Sequence, residues 1–370
     1  MKKSERLLSL DAIRGFDMLF IMGLSGLIVS ICSLFPEGDT CWLAQTMKHV
    51  PWDGLAHHDT IFPLFLFIAG ISFPFSFAKQ KASGMSHIQI YTKIIKRAFL
   101  LVLLGMVYNG LFNLDFENLR YPSVLGRIGL AWMFAAILYI NFKTRSRVII
   151  ATAILLGYWL LLRFVPASDA PAGASPFSLE GNLVGYIDRI IISGSHLYSG
   201  TFDPEGLLST LPAIVTAMLG MFTGELVRIP EEKISGSRKA LYMFGAAVVC
   251  LGLGLLWSIV FPINKSLWSS SFVLVVAAYS LALFSLFYYI IDVKKIQKWT
   301  FPLKVVGLNS ITIYMAQRIV SFSDIEEFFL GGLEKALPGG FPTVVNGIGY
   351  ILVCWLFLYF LYKHKVFLKI

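Results

Sequence analysis

The sequence predicts an all-α, polytopic membrane helix bundle of about ten transmembrane helices. Hydrophobic residues make up 56% of the 370 residues, and the mean hydropathy is +0.72, which is high for a soluble domain. Apolar runs of about 20 residues recur along the chain, and a helix of that length crosses about 30 Å of hydrocarbon. Strict alternation of apolar and polar residues is absent, so membrane barrel strands are not expected.

Ten apolar runs have the length and composition of membrane helices, because a backbone inside lipid must satisfy its own hydrogen bonds. Asp11, Arg14 and Asp17 interrupt the first run, and no small-residue cleavage site stands out. We therefore expect a retained first helix rather than a signal peptide. The predicted spans are 8–33, 60–78, 98–114, 123–141, 148–165, 207–227, 241–261, 268–291, 305–323 and 343–362.

Basic residues are unevenly distributed over the connections between these spans. With both termini cytoplasmic, the inner segments carry 22 of the 31 lysines and arginines, and the positive-inside rule favours that orientation. The same bias accounts for the net charge of +9, because the excess of basic residues lies in loops that face the lipid surface. No nucleic-acid partner is needed to explain it. The outer connections of most interest are then 34–59, 166–206 and 324–342. Residues 1–370 are predicted to form one transmembrane domain.

The richest cluster of titratable residues lies in residues 47–63, where the first outer loop meets the second predicted span. Ionisable groups at such a boundary are costly to bury and indicate function. Histidine is well suited to accept a proton at neutral pH, so His49 is a candidate base. Asp53 and Asp59 could orient a histidine or receive a sugar hydroxyl. The adjacent residues His57 and His58 match no zinc spacing, and no metal is expected.

Further polar residues lie inside or near the predicted spans. Asp11 and Arg14 are three residues apart on one helix face, so they can pair. Such a pair either fixes the first helix against its neighbours or belongs to a polar seam that admits a charged ligand. Arg127 lies about one turn below the outer surface, and Asn309 and Arg318 lie on the ninth span. Three polar residues at helical spacing on that span either line a cavity or hydrogen-bond to neighbouring helices; they are Ser310, Tyr314 and Gln317.

Asp203, Pro204 and Glu205 precede the sixth span and have the pattern of a helix start, with an N-cap acid followed by proline. A helix N-terminus there could also hold an anionic or oxygen-rich group. Cys32 and Cys41 flank a short outer segment. They could form a disulfide in an oxidising compartment or remain thiols, and the spacing does not decide between the two.

Five motifs, taken in order, resemble the transmembrane acyltransferases related to heparan-α-glucosaminide N-acetyltransferase. The resemblance covers nearly the whole chain. The motifs are Arg6-Leu-Leu-Ser-Leu-Asp-Ala-Ile-Arg-Gly15, His49–Pro63 with Trp52-Asp-Gly-Leu55 and Asp59-x-x-Phe-Pro63, Val124-Leu-Gly-Arg-Ile-Gly129, Phe202-Asp-Pro-Glu-Gly206 and Gly307-Leu-Asn-Ser310.

The resemblance implies transfer of an acetyl group from cytosolic acetyl-CoA, a co-substrate, to an amino sugar or related saccharide on the far side of the membrane. His49 matches the family's catalytic histidine, and we assign Asp53 and Asp59 to the same catalytic group. The donor-binding candidates are Asp11, Arg14, Arg127, Asn309 and Arg318. The acceptor-binding candidates are Trp52, Asp203 and Glu205. Membrane lipid is an expected partner, and a homodimer is left open.

Two positions depart from the family pattern. Gly126 stands where the family often has glutamine, and Ser25 stands near an asparagine of the heparan enzyme. Two other classes of protein stay open at this stage. Intramembrane ions and glycine-rich spans also fit a transporter or flippase for a saccharide or small metabolite, although paired inverted halves are not evident. The third is a membrane scaffold in which the ions only pack helices.

Overall fold

The computed structural model describes residues 7–368. Within that range the chain forms α-helices and no strand, which confirms the predicted all-α class. The α-helices are α1 Leu8–Leu19, α2 Ser25–Cys32, α3 Trp42–Thr46, α4 His57–Ala82, α5 His87–Tyr108, α6 Val124–Asn141, α7 Thr144–Phe164, α8 Leu183–Ile191, α9 Thr210–Arg228, α10 Gly236–Ser258, α11 Ser270–Phe287, α12 Phe301–Leu308, α13 Ser310–Ile319, α14 Phe322–Ala336 and α15 Phe341–Lys363.

Eight helical segments within residues 7–368 are long and apolar enough to cross a membrane, which confirms a polytopic helical bundle. They are Leu8–Cys32, α4, α6, α7, α9, α10, Ser270–Val293 and α15. The side of the membrane on which each terminus lies stays a prediction.

The third and ninth predicted spans differ from the structure. The third, 98–114, falls on α5, which begins earlier because Ser86 and Gln89 form a capping box at its N-terminus. The ninth, 305–323, is not one helix: it is interrupted at Asn309, whose φ of −128° and ψ of 31° are not helical. The two parts, α12 and α13, have 8 and 10 residues, which is too short for either to span a bilayer alone.

The chain divides into two compact units whose boundaries fall inside α4 and α11. Among the described residues, the first unit comprises the chain up to Val50, Ala56–Ile61 and the chain from Phe284 onward. The second comprises Pro51–Leu55 and Phe62–Leu283. The single domain expected for 1–370 stays a prediction.

In the first unit, the backbones of α1 and α12 are in close contact. A Cβ atom at Gly15 would lie 1.8 Å from the carbonyl oxygen of Leu303, and one at Gly307 would lie 1.9 Å from that of Asp11. Glycine is therefore required on both helices. The N-terminus of α1 is held by Asp292, whose carboxylate accepts the backbone N–H groups of Leu8 at 3.2 Å and Ser9 at 3.3 Å.

The first predicted span is bent between α1 and α2. Gly23 has a φ of +119°, a conformation that favours glycine, and the wider turn Phe20–Leu24 surrounds it. Cys32, the last residue of α2, and Cys41 are both free thiols. Their pairing as a disulfide stays an open prediction.

In the second unit, α4 and α9 also meet at glycines. A Cβ atom at Gly70 would lie 2.2 Å from the carbonyl oxygen of Ala217, and one at Gly220 would lie 2.1 Å from that of Phe67. Aromatic residues fill the adjoining core around Trp268, which is fully buried. Large aromatic side chains bury much apolar area, so this core supports the helices that carry the polar residues described below.

Gly307→Ala tests the close contact between α1 and α12. We expect the free energy of unfolding to fall by about 1–3 kcal/mol, because the added methyl group meets backbone rather than a flexible side chain. The measurement is the thermal midpoint of the purified protein in detergent. Gly26→Ala is the matched control, since nothing lies within 4 Å of the Cβ atom that it adds. Equal midpoints for the Gly307→Ala variant and the unmodified chain would contradict this account.

Candidate functional site

The polar centre of the first unit is Asp59, in the first turn of α4. Its side chain is only 1% exposed, so its charge requires donors. Oδ1 accepts from His49 Nδ1 at 2.6 Å, and Oδ2 accepts the backbone N–H groups of Val50 at 3.3 Å and Ala56 at 3.1 Å. The N-terminus of α4 adds its positive dipole. These contacts hold the end of the first outer loop against the helix that follows it.

The contact with Asp59 decides how the His49 ring can act. An ionised carboxylate only accepts hydrogen bonds, so Nδ1 carries the proton and Nε2 presents a lone pair. The His49 side chain is 54% exposed. A histidine oriented by a buried carboxylate is the arrangement of a general base. The structure therefore joins two of the three residues predicted to be catalytic.

The adjacent histidines point to different neighbours, because consecutive residues of a helix lie on different faces. The His57 ring contacts the ring of Phe20, with centroids 4.4 Å apart. The His58 ring lies 4.5 Å from the His49 ring, and His58 Nδ1 is 3.0 Å from Ser25 Oγ. The sequence alone did not favour His58 as a participant, yet it lies beside the candidate base.

Asp11 and Arg14 form the expected pair, with Arg14 Nη1 3.9 Å from Asp11 Oδ1. Asn309 is engaged by the end of the chain: its Nδ2 donates to the carbonyl of Val366 at 3.0 Å, and its Oδ1 accepts the N–H of Leu368 at 3.4 Å. That structural contact could not be foreseen from the ninth-span pattern.

Arg318 is exposed in the last turn of α13. On the same helix, Gln317 donates to the hydroxyl of Tyr350 at 2.9 Å. The second interpretation of the polar stripe, hydrogen bonding to a neighbouring helix, is therefore present at Gln317.

The polar centre of the second unit is an ion cluster around Arg120. The guanidinium contacts Asp203 through two nitrogens, at 2.8 Å and 2.6 Å, and also contacts Glu205. It lies over the ring of Tyr198, with 4.8 Å from Arg120 Cζ to the centroid. Burial opposes the charge of Arg120, but its bonds to Asp203 and the charge of Glu205 outweigh burial and raise the pKa of the guanidinium.

The prediction that Asp203 caps the sixth span is wrong. Helix α9 begins at Thr210, and Ser209 precedes it. Asp203 instead organises the loop: its Oδ1 accepts the N–H of Glu205 and its Oδ2 accepts the N–H of Tyr198, both at 2.9 Å. The acid was correctly singled out, but its partners belong to a turn rather than to a helix end.

Arg127 is buried in α6, with 2% of its surface exposed. Its Nη2 donates to the carbonyl of Gly206 at 3.0 Å and to Ser209 Oγ, and its guanidinium lies 5.1 Å from the centroid of the Trp268 ring. Arg127 thus fixes the segment between the ion cluster and α9.

Asp188 is a further buried acid that sequence reasoning missed. Its Oδ1 accepts the N–H of Leu207 at 2.9 Å, and a Cβ atom at Gly206 would lie 1.9 Å from its Oδ2. A side chain at position 206 would therefore displace the Asp188 carboxylate. Burial raises the pKa of Asp188 to about 6, although the bond from Leu207 acts in the opposite direction.

Trp52 and Asp53 are held within the second unit. Trp52 Nε1 donates to the carbonyl of Phe177 at 2.8 Å, and its ring lies edge-on to Phe202 at 5.4 Å. Asp53 Oδ1 accepts from Asn264 Nδ2 at 3.1 Å. Both residues therefore have fixed orientations, and their roles in catalysis or acceptor binding stay predictions.

The residues missed by sequence reasoning are Ser25, His58, Arg120 and Asp188. Arg120 could have been suspected from the sequence, because a basic residue in a predicted outer segment needs an acidic partner if it is not fully solvated. The partners Asp203 and Glu205 lie more than eighty residues away, and the spacing rules that we applied reach only a few residues.

The fold and these polar centres define a multi-pass helical membrane protein with a carboxylate–histidine pair. Two curated relatives bear the name heparan-alpha-glucosaminide N-acetyltransferase. The Mus musculus protein is 30% identical over 379 positions, covering 87% of this chain and 56% of the relative. The Homo sapiens protein is 27% identical over 423 positions, covering 99% of this chain and 60% of the relative.

This similarity confirms the resemblance inferred from the motifs. The chain spans less than two thirds of the length of these relatives. No protein-family model matches it.

Asp188→Asn tests the buried acid. Because the folded-state pKa of about 6 exceeds the ordinary value near 4, the carboxyl contributes stability at low pH that is lost as pH rises between those values. We expect the Asn variant to exceed the unmodified chain in stability at pH 7.5, by on the order of 1–3 kcal/mol. The advantage should vanish near pH 4. Thermal midpoints across this pH range measure it.

Asp115→Asn, at an exposed acid, is the control and should show no such pH-dependent difference. An advantage of Asp188→Asn that is independent of pH would contradict the assignment to this carboxyl.

Proposed function

We propose that the chain is a membrane acyltransferase that moves an acetyl group from cytosolic acetyl-CoA to an amino sugar or related saccharide on the extracytoplasmic side. The observation that carries the proposal is the bond between His49 Nδ1 and the buried Asp59 carboxylate. The similarity to two relatives named as N-acetyltransferases supports the reaction class. A bacterial inner membrane remains part of the proposal.

In this mechanism His49 Nε2 takes a proton from the acceptor amine or hydroxyl. The acceptor atom then attacks the thioester carbonyl, and the carbon–sulfur bond breaks. The departing thiolate of coenzyme A receives the proton from the imidazolium, which restores His49. Asp59 keeps the ring in the required tautomer and stabilises the imidazolium while it exists. Direct attack and a covalent acetyl-histidine intermediate are both compatible with a histidine whose Nδ1 is held by a carboxylate.

The assignments for donor and acceptor binding form part of the same proposal. Arg14, near the inner end of the first predicted span, supplies a cationic group for the phosphates of coenzyme A. The other donor-binding assignments are Asp11, Arg127, Asn309 and Arg318. Asp203 and Glu205 are oxygen-rich acceptors held by Arg120, and they suit the hydroxyl and amino groups of a saccharide.

Trp52 offers a partly exposed aromatic surface to the acceptor, and Asp53 supplies a further carboxylate.

His49→Ala tests the assigned base. We expect acetyl transfer to fall by roughly 10²–10⁴-fold, because general-base catalysis contributes about that factor. Acetyl transfer by Asp59→Asn should fall by a similar factor, because the amide no longer favours the tautomer with the proton on Nδ1. The assay uses radiolabelled acetyl-CoA with membranes and a panel of amino sugars. His87→Ala, at an exposed histidine, is the control. Full transfer by His49→Ala would show that the assigned role is wrong.

Coenzyme A binding separates the enzyme from a transporter of saccharides and from a scaffold. We expect free coenzyme A to raise the thermal midpoint in detergent, since a ligand that binds only the folded state stabilises it in proportion to its saturation. At 100 times the dissociation constant the gain is about 2.7 kcal/mol. Pantetheine, which lacks the nucleotide and phosphates of coenzyme A, and ATP serve as comparison ligands. A midpoint unmoved by coenzyme A, but raised by a saccharide alone, would favour the transporter.

A further inference from the structure

The His49 ring has a second fixed neighbour besides Asp59. His58, one residue before Asp59 in α4, places its ring centroid 4.5 Å from that of His49. The ring planes meet at 66°, so one ring presents its edge to the other. Aromatic pairs favour this edge-to-face geometry, and the contact adds to the packing of both rings.

His58 is itself held from the first helix. Its Nδ1 lies 3.0 Å from Ser25 Oγ, and Ser25 is buried, with 6% of its surface exposed. Ser25 is the first residue of α2, directly after the bend at Gly23. The bend therefore sets where the Ser25 hydroxyl lies, and that hydroxyl sets the orientation of the His58 ring.

The location of His49 explains why a second contact matters. His49 lies in a loop rather than in a helix, and more than half of its side chain is exposed. The bond to Asp59 fixes the position of one ring atom, Nδ1. A second ring packed against the imidazole further restricts the plane of the His49 ring. Catalytic groups need such fixation, because a displacement of about 1 Å can cost about 10²-fold in rate.

We propose that His58 is a positioning residue for His49. Held by Ser25, its imidazole fixes the plane in which His49 Nε2 meets the acceptor. The inference rests on the proposed acyl transfer and assigns no proton to His58 during the reaction. His57 provides a matched comparison, because it is the same residue type, one position earlier, and its ring contacts Phe20.

The first test compares kcat and KM for acetyl transfer in four variants. His58→Ala should lower kcat by about 10–100-fold while KM for the acceptor stays within about twofold. His58→Phe retains a planar ring and should recover most of the lost kcat. Ser25→Ala, which removes only the bond that orients His58, should show a smaller loss. His57→Ala should match the unmodified chain.

Two results would overturn the inference. One is an unchanged kcat in His58→Ala. The other is a loss in His57→Ala as large as that in His58→Ala, which would indicate a general effect on the start of α4.

The second test does not depend on activity. Diethyl pyrocarbonate carbethoxylates a neutral imidazole nitrogen and releases ethanol and carbon dioxide, and peptide mass spectrometry assigns the label to His49. We expect the labelling rate of His49 to rise several-fold in His58→Ala, because the packed ring no longer covers it. The rate should stay unchanged in His57→Ala. An unchanged rate in His58→Ala would overturn the inference even in a fully active protein.

The two tests also separate the inference from the proposed function. If the unmodified chain transfers no acetyl group from acetyl-CoA, the proposed function fails. Faster labelling of His49 in His58→Ala would then still demonstrate the contact. If the unmodified chain is active and His58→Ala changes neither kcat nor labelling, the inference fails alone.

Discussion

The first unit depends on the buried carboxylate of Asp59. A charge with 1% exposure would be costly without compensation, and the cost is offset by one imidazole N–H, two backbone N–H groups and a helix N-terminus. To supply these donors, the loop from His49 to Ala56 must close onto the start of α4. The same contacts that stabilise the buried Asp59 carboxylate therefore place His49 at the N-terminus of α4, with its ring proton on Nδ1.

In the second unit, an arginine compensates the charges of two carboxylates. Asp203 is fully buried and Glu205 is nearly so, and both meet the guanidinium of Arg120. Removing one partner of such a cluster leaves an uncompensated charge, which costs more than the intact cluster contributes. The arrangement ties the segment before α9 to the segment before α6. Its specificity comes from the bidentate geometry that only arginine offers.

Much of the architecture could be predicted from the sequence, because hydrophobic length and charge bias act over one helix at a time. Helix α4 and the pairing of Asp11 with Arg14 follow from such local rules. The break at Asn309 could not be predicted by such rules, since the hydropathy of 305–323 is continuous. The interruption accompanies contacts of Asn309 with Val366 and Leu368. The start of α5 was missed because its capping box lies in a polar segment outside the apolar run.

The candidate site was predictable in its residue types and less so in its partners. His49 and Asp59 are ten residues apart, and a loop motif with both suggested a pair. The link between Ser25 and His58 spans 33 residues and depends on the bend at Gly23, which no spacing rule contains. Functional pairs of this kind arise where helices meet, so a sequence read helix by helix cannot supply them.

In the proposed reaction the base passes through a charged form. A nucleophile that gives up its proton as it attacks the thioester turns the imidazole of His49 into a cation. A buried carboxylate 2.6 Å from the other ring nitrogen stabilises that cation, because the attraction between opposite charges is strong where water is scarce. The imidazolium then lies between Asp59 on one side and the reacting atoms on the other. It is thus placed to return the proton to the departing thiolate, which is the step that completes an acyl transfer.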